Sequence, residues 1–378
     1  MATTELHRTA FDDVQREAGA SWTDWEGWAW AADFGDPVAE HKATRTACNI
    51  WDESPLRKWD MRGKDEDVLA LADALFTNDM AALEIGQVRY GAICDEDGKM
   101  IMDGTVFHVA DGHCFSITSY DSDLDWFRKV AAERELEVEL KDVTAEMPHL
   151  QVQGPLAREV LGPITEGVDV GTLRYFRFVT DGVTVGGKPV WLSRTGYSGE
   201  LGFELYCKPE DASALWNAVV RAGEPHGLRP IGLSAIETLR IESGLLFPDI
   251  DYFPHQTDPF EVRLHHVIRL GGTSPFEGRE ALEQIASDGT PRLLTTLRIE
   301  GNEVPEYGAA VTAEGNEAGI VRSPCVSPTF DEVIAMAAID RALVKDGQRV
   351  EVALGEGTVG ATVAPFPLYD TEKTRPRS

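Results

Sequence analysis

The sequence predicts an α+β protein that ends in a small β-barrel. Three observations carry that expectation. Up to about residue 290, helical spacing and strand alternation follow one another in short blocks. Beyond it, short strands are separated by Gly301, Gly308, Gly315, Gly319, Gly347, Gly355 and Gly357, the pattern of a small barrel. The 378 residues, 43% of them hydrophobic, are enough for two or three domains with a large core.

The elements follow in order. Residues 1–60 hold six of the nine tryptophans: Trp22, Trp25, Trp28, Trp30, Trp51 and Trp59. Tryptophans so closely spaced either fill a core or form an aromatic wall for an aryl or methylated cationic ligand. Val68, Leu69, Leu71, Leu75 and Phe76 predict a helix over 65–84. A hairpin follows, from Val88-Arg89-Tyr90 through the turn at Asp95–Gly98 and back along Thr105–Val109. A helix over 123–137 and a strand over 137–143 complete this block. The next block opens with the strand His149–Gln153 and a short helix from Pro155 to Leu161. Strands over 184–191 and 203–207 come next, then helices over 212–222 and 233–244, the second closed by Gly244. The last eight residues read as disordered.

Sixty-four acids against 35 bases give a net charge of −29, which argues against nucleic acid and anionic membranes as partners. Cys48, Cys94, Cys114, Cys207 and Cys325 are scattered and contain no Cys-x-x-Cys pair, which points to a reducing compartment. With a polar N-terminus and no apolar stretch of membrane-span length, the expected location is cytoplasmic. His265-His266 lacks the context of a metal site, and no metal is expected. Nucleotide-binding and hydrolase motifs do not occur.

Arg194-Thr195-Gly196-Tyr197-Ser198-Gly199-Glu200-Leu201-Gly202-Phe203-Glu204 is the most informative stretch. Three glycines in seven residues force a tight turn bearing a guanidinium, a phenol and a carboxylate, suited to gripping a polar heterocycle. A second candidate is Asp103, an acid out of pattern between Met102 and Gly104 on a strand-like run.

The 194–204 stretch resembles the Arg-Thr-Gly-Tyr-Thr-Gly-Glu-x-Gly-Phe-Glu signature of the glycine-cleavage T-protein family, tetrahydrofolate-dependent aminomethyltransferases. Gln151–Pro155, the helix Gly232–Glu242, and Gly319–Ser323 with Ser327-Pro328 resemble further motifs of that family, in order, from about residue 40 to 366. The resemblance implies a three-domain, cloverleaf-like arrangement around a tetrahydrofolate site. The boundaries expected are 1–60 with 145–285 for the folate-binding domain, 61–144 for the second and 286–378 for the barrel. It places the pterin-binding carboxylate on Glu204, with Tyr197, Tyr90 and Arg240 as further cofactor-binding residues. It also makes Asp103 the catalytic aspartate, set beside the reacting folate nitrogens.

Several positions depart from the family pattern. Met102 replaces the first aspartate of a pair, Phe107 a tyrosine, and Ile236 the first helix arginine. The family's Asp-Val-Ser-His-Met appears as Asp52-Glu53-Ser54-Pro55-Leu56. These changes resemble a divergent branch of tetrahydrofolate-dependent demethylases. The expected reaction moves a methyl group from an O-, N- or S-methylated small molecule to N5 of tetrahydrofolate. Phe107, Tyr120, Trp28 and Trp59 are the candidate substrate residues, and Tyr120, Tyr90 or Tyr197 is the acid an ether donor would need. The alternatives are a true aminomethyltransferase working with a lipoylated carrier, and a non-catalytic folate-binding protein of iron–sulfur assembly. The latter's Lys-Gly-Cys-Tyr-x-Gly-Gln run is absent. Oligomeric state is left open.

Overall fold

Leu150, Val152, Phe203 and Leu205 alternate with polar residues because their strands are covered on that face by one large apolar cluster. In this computed structural model, which describes residues 5–271 and 275–378, they belong to a six-stranded sheet. Its order is Phe178–Val179, Trp191–Ser193, Gly202–Tyr206, His149–Gln153, Asn49–Asp52 and Arg229–Pro230. The register sets Glu204 opposite Gln151, Tyr206 opposite His149, and Trp51 opposite Gln151. These residues therefore share the face turned away from the apolar cluster.

A five-stranded sheet runs Val88–Cys94, Met100–Ala110, His113–Thr118, Arg57–Gly63 and Val138–Asp142. The helices Asp65–Leu75 and Ser122–Glu133 cover its apolar face through Leu71, Leu75, Leu124 and Phe127. The first helix is shorter than its spacing predicts. Asp73 accepts from Met80 and Ala81 backbone N–H groups, which fixes a turn after Leu75 in place of a further helical turn. The strand expected over 184–191 is instead the hairpin Thr184–Val185/Lys188–Pro189, bent at Gly186 and Gly187.

The C-terminal strands close into a six-stranded barrel, as the glycine-punctuated pattern predicts. The barrel braces the rest of the chain by polar contacts: Ser323 donates to Asp251, and Ser327 and Thr329 donate to Glu242. The last eight residues are not free. Arg194 Nη2 donates to the Ser378 carbonyl at 2.7 Å and Arg375 pairs with Glu200 at 3.3 Å. Both partners are buried by long-range folding, so no local pattern reveals that they await the tail. Among the described residues, no helix is long and apolar enough to cross a membrane.

Candidate functional site

The two sheets, the segment 244–248 after a helix, and the tail enclose a cavity of about 530 Å³. That size suits a small-molecule ligand. Glu204, Tyr197, Tyr90 and Asp103 all line it, so residues spread over more than a hundred positions converge on one space.

Glu204 projects from Gly202–Tyr206 on the polar face of the six-stranded sheet. Its Oε2 accepts from Thr195 Oγ1 and Tyr206 OH, each at 2.7 Å. Burial opposes its charge, but the adjacent His149 and these hydroxyls outweigh burial and hold its pKa below the ordinary value. His149 Nε2 is 3.6 Å from Glu204 Oε2 and 3.3 Å from Glu53 Oε2, while its ring stacks on Tyr206. Burial lowers the His149 pKa, which favours the neutral imidazole.

Asp103 projects from the long strand Met100–Ala110 into the same cavity. Tyr90, paired with Thr105 two residues away, donates to Asp103 Oδ2 at 2.8 Å. Tyr252 donates to Oδ1. Burial raises the Asp103 pKa and the two phenol bonds partly offset it. Tyr252 was missed by the sequence reading. Its only local signal is its place just after two acids, Asp249 and Asp251, in the loop that follows Gly244.

The glycine turn is built as close approach demands. Gly199 has φ of 79°, and a Cβ on Gly196 or Gly202 would overlap the Gln153 side chain. Arg45 Nη1 donates to the Ser198 carbonyl at 2.8 Å, and Arg45 also pairs with Glu200 and Glu242, fastening the turn to the helix Leu233–Ser243. Tyr197 N–H donates to Gln151 Oε1 at 3.1 Å and its hydroxyl donates to the Leu246 carbonyl.

Arg240 does not line the cavity. It is fully buried, paired with Glu237 and Asp251 and bonded to Ser323. Asp251 in turn accepts from Phe247 N–H at 2.8 Å, and Phe247 and Tyr252 flank the cavity and Asp103. The structure thus gives Arg240 the position of a loop brace rather than a ligand contact.

The expected substrate residues are also displaced. Phe107 shares the face of Asp103, but Phe115, Phe178 and Tyr206 pack edge-on around it and seal it from the cavity. Trp59 lies in the core of the five-stranded sheet, where its Nε1 donates to Thr118 Oγ1 at 2.7 Å. Trp28 sits beside His7, outside the lining. Tyr120 is close to the site without lining it, its hydroxyl donating to Asp249 at 2.7 Å and its ring stacked on Trp25. The aromatic lining comes instead from Trp25, Trp30 and Trp51. Trp30 and Trp51 stack at 5.1 Å, and Trp51 Nε1 has no protein partner. His266, Lys373 and Arg377 add a basic group to the wall. In a chain of net charge −29 this is a local exception.

Residues 11–271 match the GCVT N-terminal domain, and residues 292–370 match the glycine cleavage T-protein C-terminal barrel domain. An aminomethyltransferase of Geobacillus kaustophilus is 34% identical over 97% of this chain and 100% of its own length. A trimethylamine-oxide aldolase of Ruegeria pomeroyi is 38% identical over 90% of this chain, which spans only 44% of that relative. The crystal structure of glycine cleavage system aminomethyltransferase T from Bartonella henselae superposes with a TM-score of 0.87 at 23% identity, over 97% of this chain and 99% of that one, and so shares its fold. The chain belongs to the glycine-cleavage T-protein family, whose aminomethyltransferase members its full length matches.

Proposed function

We propose that this protein transfers a methyl group from a methylated small molecule to N5 of tetrahydrofolate. One observation carries the reading: Glu204, ionised and held by two hydroxyls, shares a cavity with Asp103, held by two phenols, and with a tryptophan lining. The Glu204 carboxylate accepts paired hydrogen bonds from the pterin amino group and ring nitrogen. Lys373 and Arg377 suit the carboxylates of the folate's glutamate portion, with His266, whose charge burial disfavours, beside them.

Bound tetrahydrofolate supplies the nucleophilic nitrogen. Asp103 offsets the positive charge that develops there and accepts the proton that the methylated N5 sheds, and Tyr90 and Tyr252 keep its carboxylate aimed. The methyl leaves its heteroatom without the bonding pair. A sulfonium or quaternary donor therefore departs neutral and needs no acid. Tyr120, Tyr90 and Tyr197 donate to Asp249, Asp103 and the Leu246 carbonyl, which makes each a poor acid for an ether donor and favours a cationic one. Trp25, Trp30 and Trp51 can attract a methylated cation through their rings.

The full-length match to aminomethyltransferases favours a second reading, transfer of an aminomethyl carbon to give methylene-tetrahydrofolate. Incubating the protein with tetrahydrofolate and a panel of sulfonium, methylamine and aryl methyl ether compounds separates the two. The expected product is 5-methyl-tetrahydrofolate. Methylene product, or a strict need for a lipoylated carrier protein, would overturn the methyl-transfer reading.

A further inference from the structure

Beside Glu204 stands a group of polar atoms that the reaction as described does not use. Glu53 and His149 are 2% and 1% exposed and both line the cavity. Glu53 Oε2 and both His149 ring nitrogens lack any hydrogen-bond partner in the protein. Buried polar groups without partners cost about 1–3 kcal/mol each, so three together on a cavity wall call for a ligand that satisfies them. Their placement follows from register. Glu53 is two residues beyond Trp51, the neighbour of Gln151, and its N–H donates to the His149 carbonyl at 2.9 Å.

We propose that Glu53 and His149 form a second hydrogen-bonding anchor for the pterin, beside Glu204. The inference rests on the folate reading above and extends it. When one carboxylate takes the N3–H and an amino hydrogen of a pterin, each flank of that pair presents an acceptor, O4 or N1. A second ionised carboxylate there would repel it; a protonated one donates to it. A neutral acid facing N1 also accepts the remaining amino hydrogen.

The surroundings of Glu53 favour its protonated form. Burial, then the neighbouring Glu204, push its pKa well above the ordinary value, and Asp52 adds to this. The nearest cation, Lys58, works in the other direction but is turned away. Its Nζ donates to the Ser54 and Leu56 carbonyls at 3.0 and 2.8 Å rather than to Glu53. His149 Nε2 lies between the two acids, 3.3 Å from Glu53 Oε2 and 3.6 Å from Glu204 Oε2, so a ring N–H can turn to either of them or to the ligand.

The test measures binding of tetrahydrofolate, and of 6-methyltetrahydropterin as a pterin-only probe, to wild type and to Glu53→Ala, Glu53→Gln and His149→Phe variants whose circular dichroism and melting are native. Glu53→Ala is expected to weaken both probes by about tenfold or more, the loss of one buried hydrogen bond. Glu53→Gln, a neutral donor of the same shape, is expected to stay within about threefold of wild type, as half or less of one hydrogen bond. His149→Phe keeps the stacking on Tyr206 and is expected to weaken both probes. Wild-type binding that Glu53→Ala leaves within about twofold overturns the second anchor while the folate reading stands. Failure of wild type to bind either probe overturns the folate reading itself. A stoichiometric divalent metal in the purified protein that is lost in Glu53→Gln would also overturn the proposal, because these atoms would then be its ligands.

Discussion

Asp103→Asn isolates the role of charge at the reacting centre. Both Asp103 oxygens accept from phenols, Tyr90 at 2.8 Å on Oδ2 and Tyr252 on Oδ1. An asparagine keeps one of these bonds through its oxygen. Its amide can donate to the other hydroxyl, which rotates to accept, so shape and position survive. What is lost is one negative charge beside a nitrogen that turns positive. At an effective dielectric of about 20 and a separation of about 4 Å, that charge is worth roughly 4 kcal/mol. The asparagine dipole recovers part of it, leaving a loss of about 2–4 kcal/mol, or roughly thirty- to thousandfold in rate. The assay is single-turnover methyl transfer at saturating tetrahydrofolate, run beside a separate measurement of folate affinity. The expectation is a large fall in rate with affinity within about threefold. A single-turnover rate close to wild type would refute the charge argument. So would a loss of affinity that accounts for the whole effect, since Asp103 would then be a binding group.

Three further outcomes follow from the same geometry. Tyr252→Phe removes a donor that favours the charged form of Asp103, so a pKa already raised by burial rises further. The acid limb of the rate profile should shift to higher pH, with full activity regained above it; an unmoved limb would show that Asp103 does not control it. Glu204→Gln exchanges a charge-assisted pair for a neutral one and should weaken folate binding by roughly ten- to hundredfold, read by titration calorimetry. Arg240→Met leaves Asp251 buried without its guanidinium and should destabilise the fold by about 3–5 kcal/mol in denaturant, with Arg240→Met/Asp251→Asn less destabilised than the single variant. A wild-type denaturation midpoint for Arg240→Met would contradict its place as the brace of the 247–252 loop.

The elements that local pattern governs were legible. The hairpin 88–109 and the helix closed by Gly244 depend on alternation, turn glycines and capping, all encoded within a few residues. The positions of Glu204, Tyr197, Tyr90 and Asp103 came through a resemblance of motifs, and the fold gathers them in one cavity. The substrate side was not legible for a different reason. Whether an aromatic residue lines a cavity or fills a core depends on what packs over it from distant strands. Phe107 carries the same facing as Asp103 and is nonetheless sealed by Phe115 and Phe178. Trp30 and Trp51 are no more conspicuous in sequence than Trp28 and Trp59 and are themselves buried in a core cluster, yet that cluster reaches the cavity wall. The tail eluded local reading because its partners, Arg194 and Glu200, are buried ends of other segments.

The distribution of charge inside the cavity bears on how a folate would be oriented there. Glu204 and Asp103 come from the two sheets and Glu53 from just beyond the strand Asn49–Asp52, whereas Lys373 and Arg377 come from the tail and His266 from the segment just after Arg263. A ligand with a donor-rich ring at one terminus and carboxylates at the other is matched by this division in one sense only. Reversal would set carboxylates against Glu204 and its acidic neighbour. The strongly negative outer surface makes the basic group more important, because it is the local attraction that offsets long-range repulsion of an anionic folate. The two effects have opposite dependence on salt. Added salt screens the distant repulsion first, while pairs buried in the cavity are screened much less. Folate association should therefore quicken, or at least hold, as ionic strength rises, in contrast to a binding site embedded in a uniformly basic surface.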